Sequence, residues 1–149
     1  MAQSTTYDPA LVVASFAGIP ISGYADGTFV SVERNNESYT LMVGAGGEAA
    51  RSRSRNSSGK VTFTLMATSP VNDYRSAVWH ADELLGTGVG SVIVKDMSGG
   101  TLCIANNAWV QKGPKVEYGK EISTREWTIE AESIYINAGG TVGISVDSY

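Results

Sequence analysis

The chain has 149 residues, of which 42% are hydrophobic and 17% charged, with a net charge of −4, 17 glycines and one cysteine. That length makes one domain the default, the composition suits a folded core rather than a disordered chain, and no internal disulfide can form. An acidic balance argues against a dedicated DNA- or RNA-binding domain, whose footprint is basic, and no stretch approaches the roughly 20 apolar residues of a membrane span.

Residues 1–9 are polar, end at Pro9 and read as an N-terminal arm; they lack the basic and apolar regions of a secretory signal. "ALVVASFAG" (10–18) is β-rich and continuous, a candidate buried strand. In 19–34, Asp26-Gly27 supplies the positive φ of a tight hairpin, after which Val30 and Val32 alternate with Ser31 and Glu33, the period of a strand with one wet face. "NNES" (35–38) is turn chemistry. "YTLMVGA" (39–45) alternates again, with Tyr39, Leu41 and Val43 on one side. Residues 44–60 form a long Gly-, Ser- and Arg-rich connection, read as a loop.

"GKVTFTLMAT" (59–68) is the clearest strand: Val61, Phe63, Leu65 and Ala67 share one face, and Lys60, Thr62, Thr64 and Met66 the other. One helix is expected over 69–86, with Ser69 as N-cap, Pro70 in the first helical position and Gly86 at the stop. Val71, Tyr74, Val78, Ala81 and Leu85 recur at three and four, which predicts that this stripe faces the core. β patterning resumes over 91–112, interrupted by turns at 96–100 and 106–107, and 112–123 is extended or loop. In the last long strand, 124–136, Trp127, Ile129, Ala131, Ser133 and Tyr135 share one side and Glu126, Thr128, Glu130 and Glu132 the other. Residues 137–149 are a glycine hinge and a C-terminal extension. Strands, one helix, then strands predict a mainly β domain spanning 1–149, a β-sandwich or barrel-like unit with one flanking α-helix.

Chemistry is sparse. Cys103 sits in the apolar run "TLCIA" and reads as a core residue. His80, the sole histidine, lies off the helix stripe, and no metal cluster or triad can be built around it. The glycines of 44–47 and 86–90 lack the Lys-Ser/Thr of a phosphate loop. No catalytic, metal or cofactor site is expected. Two charge rows remain. Glu126, Glu130 and Glu132 project from one strand face, with Glu33 on the wet face of its own strand; this is either a solvated sheet face or a surface that must stay negative. Arg51, Arg53 and Arg55 point one way if their segment is extended. They could be a solvated loop, a partner for carboxylates on another subunit, or a phosphate grip, the last without an aromatic platform to help it. A non-catalytic binding module for carbohydrate, or a cell-surface adhesin, would share the strand pattern. It would need aromatics on a wet face, and Trp79, Trp109 and Trp127 do not read as one platform.

Three segments in order, "YDPALVVASFAGIPISGYADGTFVSVERNNESYT" (7–40), "GAGGEAARSRSRNSSGKVTFTLMATSPVND" (44–73) and "KVEYGKEISTREWTIEAE" (115–132), resemble the tail tube proteins of bacteriophages. The resemblance is to the small type of contractile-tailed phages, similar to the tube protein of type VI secretion. It covers about residues 7–135 and implies a structural virion protein of the tail, assembled in the host cytoplasm, whose hexameric rings stack into a tube that conducts DNA from capsid to host. Each protomer would give four strands to a continuous inner barrel. About 24 strands at roughly 4.8 Å give a backbone diameter near 37 Å before tilt widens it, room enough for a duplex. The resemblance makes Glu33, Thr62, Thr64, Glu126, Thr128, Glu130 and Glu132 candidates to line the lumen. The loop at 44–60 would reach a neighbouring subunit or ring, with Arg51, Arg53 and Arg55 meeting acidic residues there. Implied partners are further copies of the chain, the tail sheath, baseplate and tail terminator proteins, and, transiently in the lumen and without sequence-specific binding, genomic DNA and the tape measure protein. No membrane partner is implied.

Overall fold

The computed structural model describes residues 4–6, 8–97, 99–139 and 144–146, the first and last of these groups by their backbone. The strands in chain order are β1 (Ser4–Thr6), β2 (Val12–Phe16), β3 (Ile19–Pro20), β4 (Val30–Arg34), β5 (Tyr39–Val43), β6 (Ala49–Arg53) and β7 (Gly59–Met66). The helix α1 (Val71–Leu85) follows, then β8 (Gly90–Asp96), β9 (Leu102–Lys112), β10 (Thr124–Asn137) and β11 (Ile144–Val146). Seven strands form one antiparallel sheet in the order β3-β2-β8-β9-β10-β7-β4. β5 and β6 form a separate two-stranded hairpin, and β1 pairs with β11. The expected arm (1–9) and extension (137–149) otherwise fall largely outside the described residues.

The alternation of β7 and β10 becomes burial. Val61, Phe63, Leu65, Trp127, Ile129 and Ala131 are buried in one core, and Val30 and Val32 pack partly against it. Side chains two apart share a face of a strand, so each strand gives one face to the core and one to its surroundings. The sheet curls enough that Val12 of β2 and Val30 and Val32 of β4 border the same cleft, of about 510 Å³, which Cys103 and Ile136 also line.

The alternation does not run unbroken along β10. Buried Ala131 is followed by buried Ile134, three residues on, and on β9 Ala105 is followed by Ala108. Ala131 is level with Gly59, yet the Ile134 N–H reaches the Ser57 carbonyl at 2.8 Å, so three residues of β10 span two of its neighbour. Asn107, with φ 49°, takes up the matching step on β9. These extra residues are bulges, which re-aim every side chain beyond them. Tyr135, expected on the Trp127 side, is consequently 57% exposed, and Ile134 takes the core position.

Asp26-Gly27 does turn, with Gly27 at φ 87°, but the segments it joins do not form a hairpin. Tyr24 and Val30 both pair with β7, at Leu65 and Phe63, so residues 25–29 loop out from one edge and return to it.

α1 begins at Val71 with Pro70, not Ser69, in the N-cap position, one residue later than expected; the Ser69 hydroxyl accepts from the Val71 N–H at 3.4 Å and donates to the Ser22 carbonyl at 2.8 Å. Gly86, at φ 66°, ends it by donating to the Asp82 carbonyl. The helix is fastened to the sheet by the Trp127 indole N–H, which donates to Asn72 Oδ1 at 2.9 Å, and by Trp79 packing edge-on against Trp127. Its inward face differs from the expected stripe. Val71 is buried and Val78 packs on the core, but Tyr74 and Leu85 are exposed, and the second fully buried helix residue is Arg75. Its guanidinium lies 4.3 Å above the Phe16 ring and 5.7 Å from Phe63. A buried arginine stacked on aromatics is a legitimate core residue that a search for apolar stripes passes over.

Candidate functional site

The outer face of β4, β7 and β10 brings six of the seven expected residues into cross-strand rows. Glu33, Lys60 and Glu130 are register partners across the three strands, as are Ser31, Thr62 and Thr128, and Thr64 stands level with Glu126. Glu132 continues the face beyond Glu130, where its carboxylate accepts from Asn107 Nδ2 at 2.9 Å. All seven are exposed or half-buried. The charge is less uniform than the row of glutamates suggests. Lys60 stands between Glu33 and Glu130, and Lys112 is the partner of Thr128. Opposite charges in neighbouring positions relieve the mutual repulsion of the carboxylates. The result is a mildly acidic surface of carboxylates and threonine hydroxyls on the side of the sheet opposite the core and α1.

The second surface is the β5–β6 hairpin. The segment 44–60, expected as loop, contains the strand Ala49–Arg53 because it pairs in register with Tyr39–Val43 across a glycine-rich turn. Tyr39 is level with Arg53, Leu41 with Arg51 and Val43 with Ala49, so one face carries four apolar side chains and two guanidiniums; Met42 and Ala50 are on the other. The Arg51 guanidinium lies 4.2 Å over the Tyr39 ring. Arg55 lies past the end of β6. With Arg34, Arg53, Tyr39 and three serines it borders a cleft of about 380 Å³ at the hairpin base. Every strand residue of the hairpin is exposed, with Leu41 at 70% and Val43 at 63%. Large apolar side chains held in water on a projecting hairpin are the signature of an interaction surface.

The three tryptophans do not come together: Trp127 is buried with Trp79 packed against it, and Trp109 is half-buried on the outer sheet face, level with Glu130. Cys103 is buried, and its thiol is pushed up by that burial, which favours the inert protonated form. Sequence reasoning missed Arg75. Burial pushes its guanidinium down to about 10, opposed in part by the nearby Tyr24 hydroxyl.

Comparison with known proteins gives these surfaces a setting. The family model described as the bacteriophage PhiTE tail tube protein matches residues 11–139. Structural protein ORF10 of Pseudomonas phage KPP10 is 27% identical over 151 residues, covering 96% of this chain and 87% of that protein. Among solved structures, the tube-terminating cap of the anti-feeding prophage has a TM-score of 0.63 at 11% identity, over 92% of this chain and 94% of that one. A chain of the sheath–tube complex of an extracellular contractile injection system has a TM-score of 0.56 at 14% identity, over 89% and 92%. These two likenesses establish a shared fold. With the family match spanning nearly all of the seven-stranded sheet and its helix, this chain belongs to the bacteriophage PhiTE tail tube protein family and is a structural component of the virion tail, not an enzyme.

Proposed function

We propose that six copies of the chain form a ring, that rings stack into the tail tube, and that the tube conducts the genome from capsid to host. The observation that carries this reading is the open sheet with two unlike faces. One face packs the core and α1. The other, over the contiguous strands β9, β10, β7 and β4, presents Glu33, Thr62, Thr64, Glu126, Thr128, Glu130 and Glu132. An unpaired strand edge is a template for another chain, and β4 ends the sheet. Side-by-side addition of copies at such edges would close a barrel with the mixed acidic face inside.

DNA carries one negative charge per roughly 1.7 Å of axis. A wall of carboxylates and hydroxyls with Lys60 interspersed would repel it weakly and hold it nowhere, which suits passage better than binding. The same lumen would hold the tape measure protein before ejection. The hairpin, with Arg51, Arg53 and Arg55, would reach a neighbouring subunit, and sheath, baseplate and terminator proteins would meet the outside and ends of the tube. The domain organisation that goes with this is a single tube unit over 1–149 with the hairpin as its assembly arm.

Electron microscopy of the purified protein in negative stain should show rings or tubes; a protein that stays monomeric at every concentration and salt tried would sink the proposal. For the lumen, Glu130→Lys with Glu132→Lys should leave tubes intact and impair DNA ejection when built into the phage. Normal ejection through stable mutant tubes would overturn the assignment of that face.

A further inference from the structure

α1 has a second apolar stripe that the body does not use. Tyr74, Ala77, Ala81, Leu84 and Leu85 recur at steps of three and four on the side facing away from the core, with Tyr74 59%, Leu84 83% and Leu85 75% exposed. Asp73, exposed, borders this stripe; Glu83 is exposed on the opposite flank, and the one arginine of the helix, Arg75, is buried on the core side. The last turn is also electrostatically unfavourable as it stands. It carries Asp82 and Glu83 and no basic residue, where the aligned peptide dipoles favour a cation. A positive group brought from elsewhere would relieve both.

The hairpin presents the complement: Tyr39, Leu41 and Val43 beside Arg51 and Arg53, with Arg55 following. The dimensions agree. On the stripe, Tyr74 and Leu84 are ten helical residues apart, about 15 Å, and on the hairpin Tyr39 and Val43 are four strand residues apart, roughly 13 Å. The cleft bordered by Arg53 and Arg55 has room for a carboxylate side chain. Both surfaces are exposed within one chain, so they do not satisfy each other there.

Other acidic surfaces fit less well. The 113–123 loop exposes Val116, Tyr118 and Ile122, but its Glu117 is already paired with Lys115 at 2.6 Å and Lys120 lies beside Glu121. The sheet face has Lys60 at its centre and threonines where apolar contacts would be needed.

We propose that the arginine face of the hairpin docks on the outer stripe of α1 in the next copy of the chain. This rests on the reading of the hairpin as an inter-subunit arm and adds the surface that receives it. Because donor and acceptor are different patches, the contact is head-to-tail and propagates.

Three charge variants test it, with polymerisation followed by sedimentation and negative stain: Arg51→Glu/Arg53→Glu/Arg55→Glu on the hairpin, Asp73→Lys/Glu83→Lys on the helix, and the two sets combined in one chain. Each set alone should raise the concentration needed for assembly by roughly tenfold or more, and the combination should bring it back towards wild type. Normal assembly of the helix set with failure of the hairpin set overturns this pairing and leaves the inter-subunit arm standing. Normal assembly of the hairpin set removes the arm as well. Failure of all three sets, with folding intact by circular dichroism, overturns the pairing. A chain carrying Leu41→Cys and Leu84→Cys should give a ladder of disulfide-linked multimers in oxidised tubes, where either substitution alone gives none; intact tubes without a ladder count against the contact. The native Cys103 is buried and does not confuse this readout.

Discussion

Of the arginines that lie over aromatic rings, Arg75 and Arg51 do so in opposite circumstances. Arg75, on α1, is 3% exposed and sits on Phe16 with Phe63 beside it; Arg51, on the hairpin, is exposed and sits on Tyr39. In the body, aromatic faces, buried aliphatics and the helix close around the cation. On the hairpin, the same stacking leaves the rest of the guanidinium, and the leucine and valine next to it, facing water. The body encloses its arginine within a single chain. The hairpin has the geometry of a strand pair and the chemistry of half an interface, a state that makes physical sense when its other half belongs to another molecule.

The body should therefore fail by unfolding and the hairpin by failing to assemble. The largest effect is expected at Trp127, which is buried, touches Trp79 and donates to Asn72. Trp127→Ala leaves a cavity and an orphaned acceptor, costing about 3–5 kcal/mol. For a chain of this size that is a fall in Tm of roughly 10 °C, measurable on the unassembled protein. A drop of under about 3 °C would mean that the helix is not held to the sheet through this residue.

On the hairpin the expectation is reversed. Leu41→Ser, Met42→Ser and Val43→Ser together remove most of the exposed apolar surface of β5. Surface changes of this kind cost under about 0.5 kcal/mol each, so the Tm of the unassembled chain should move by only a few degrees. The concentration needed for polymerisation should rise at least about tenfold, since the apolar contact area is lost to the assembly rather than to the fold. Tubes forming at wild-type concentrations would place the self-contact elsewhere.

The same contrast explains what could be read from the residues. β7 and β10 are legible because their inward side chains are apolar and their outward ones polar, so burial within the chain writes the alternation directly. The ends of α1 are legible too, since Pro70 and Gly86 act through their own backbone. The facing of α1 is not. Two stripes compete on it, and the one with more obvious apolar residues, Tyr74, Ala81 and Leu85, is turned outward, while the inward one includes an arginine. β6 reads as loop because Ala-Ala-Arg-Ser-Arg has no β-branched or aromatic residue and becomes a strand only by pairing with β5. The bulges at 132–133 and 106–107 depend on matching between strands, which no single segment encodes. Of the candidate site, the glutamate rows are visible in one strand at a time. The position of Lys60 between Glu33 and Glu130 needs the register of three strands.

The smallest expected effect concerns Arg75 itself. Among the described residues, neither Nη1 nor Nη2 meets a hydrogen-bond acceptor. Burial holds the guanidinium down to about 10, a penalty on the charged form that is present at all lower pH. It is relieved only as pH climbs from there towards the ordinary arginine range, because the native state then releases its proton before the unfolded chain does. Against that penalty stands the stacking on Phe16, worth about 2 kcal/mol when desolvated, and the packing of the aliphatic stem. A side chain of similar length without the charge should come out nearly even. Arg75→Met is expected to lie within about 1 kcal/mol of wild type, with a Tm shift of under about 4 °C in either direction that stays constant between pH 6 and 9. Arg75→Ala, which also removes the buried aliphatic stem, should lose more. A methionine variant as damaged as Trp127→Ala would show that the guanidinium is satisfied by a strong acceptor in solution, and the contrast between the two arginines would then be one of partners rather than of completeness.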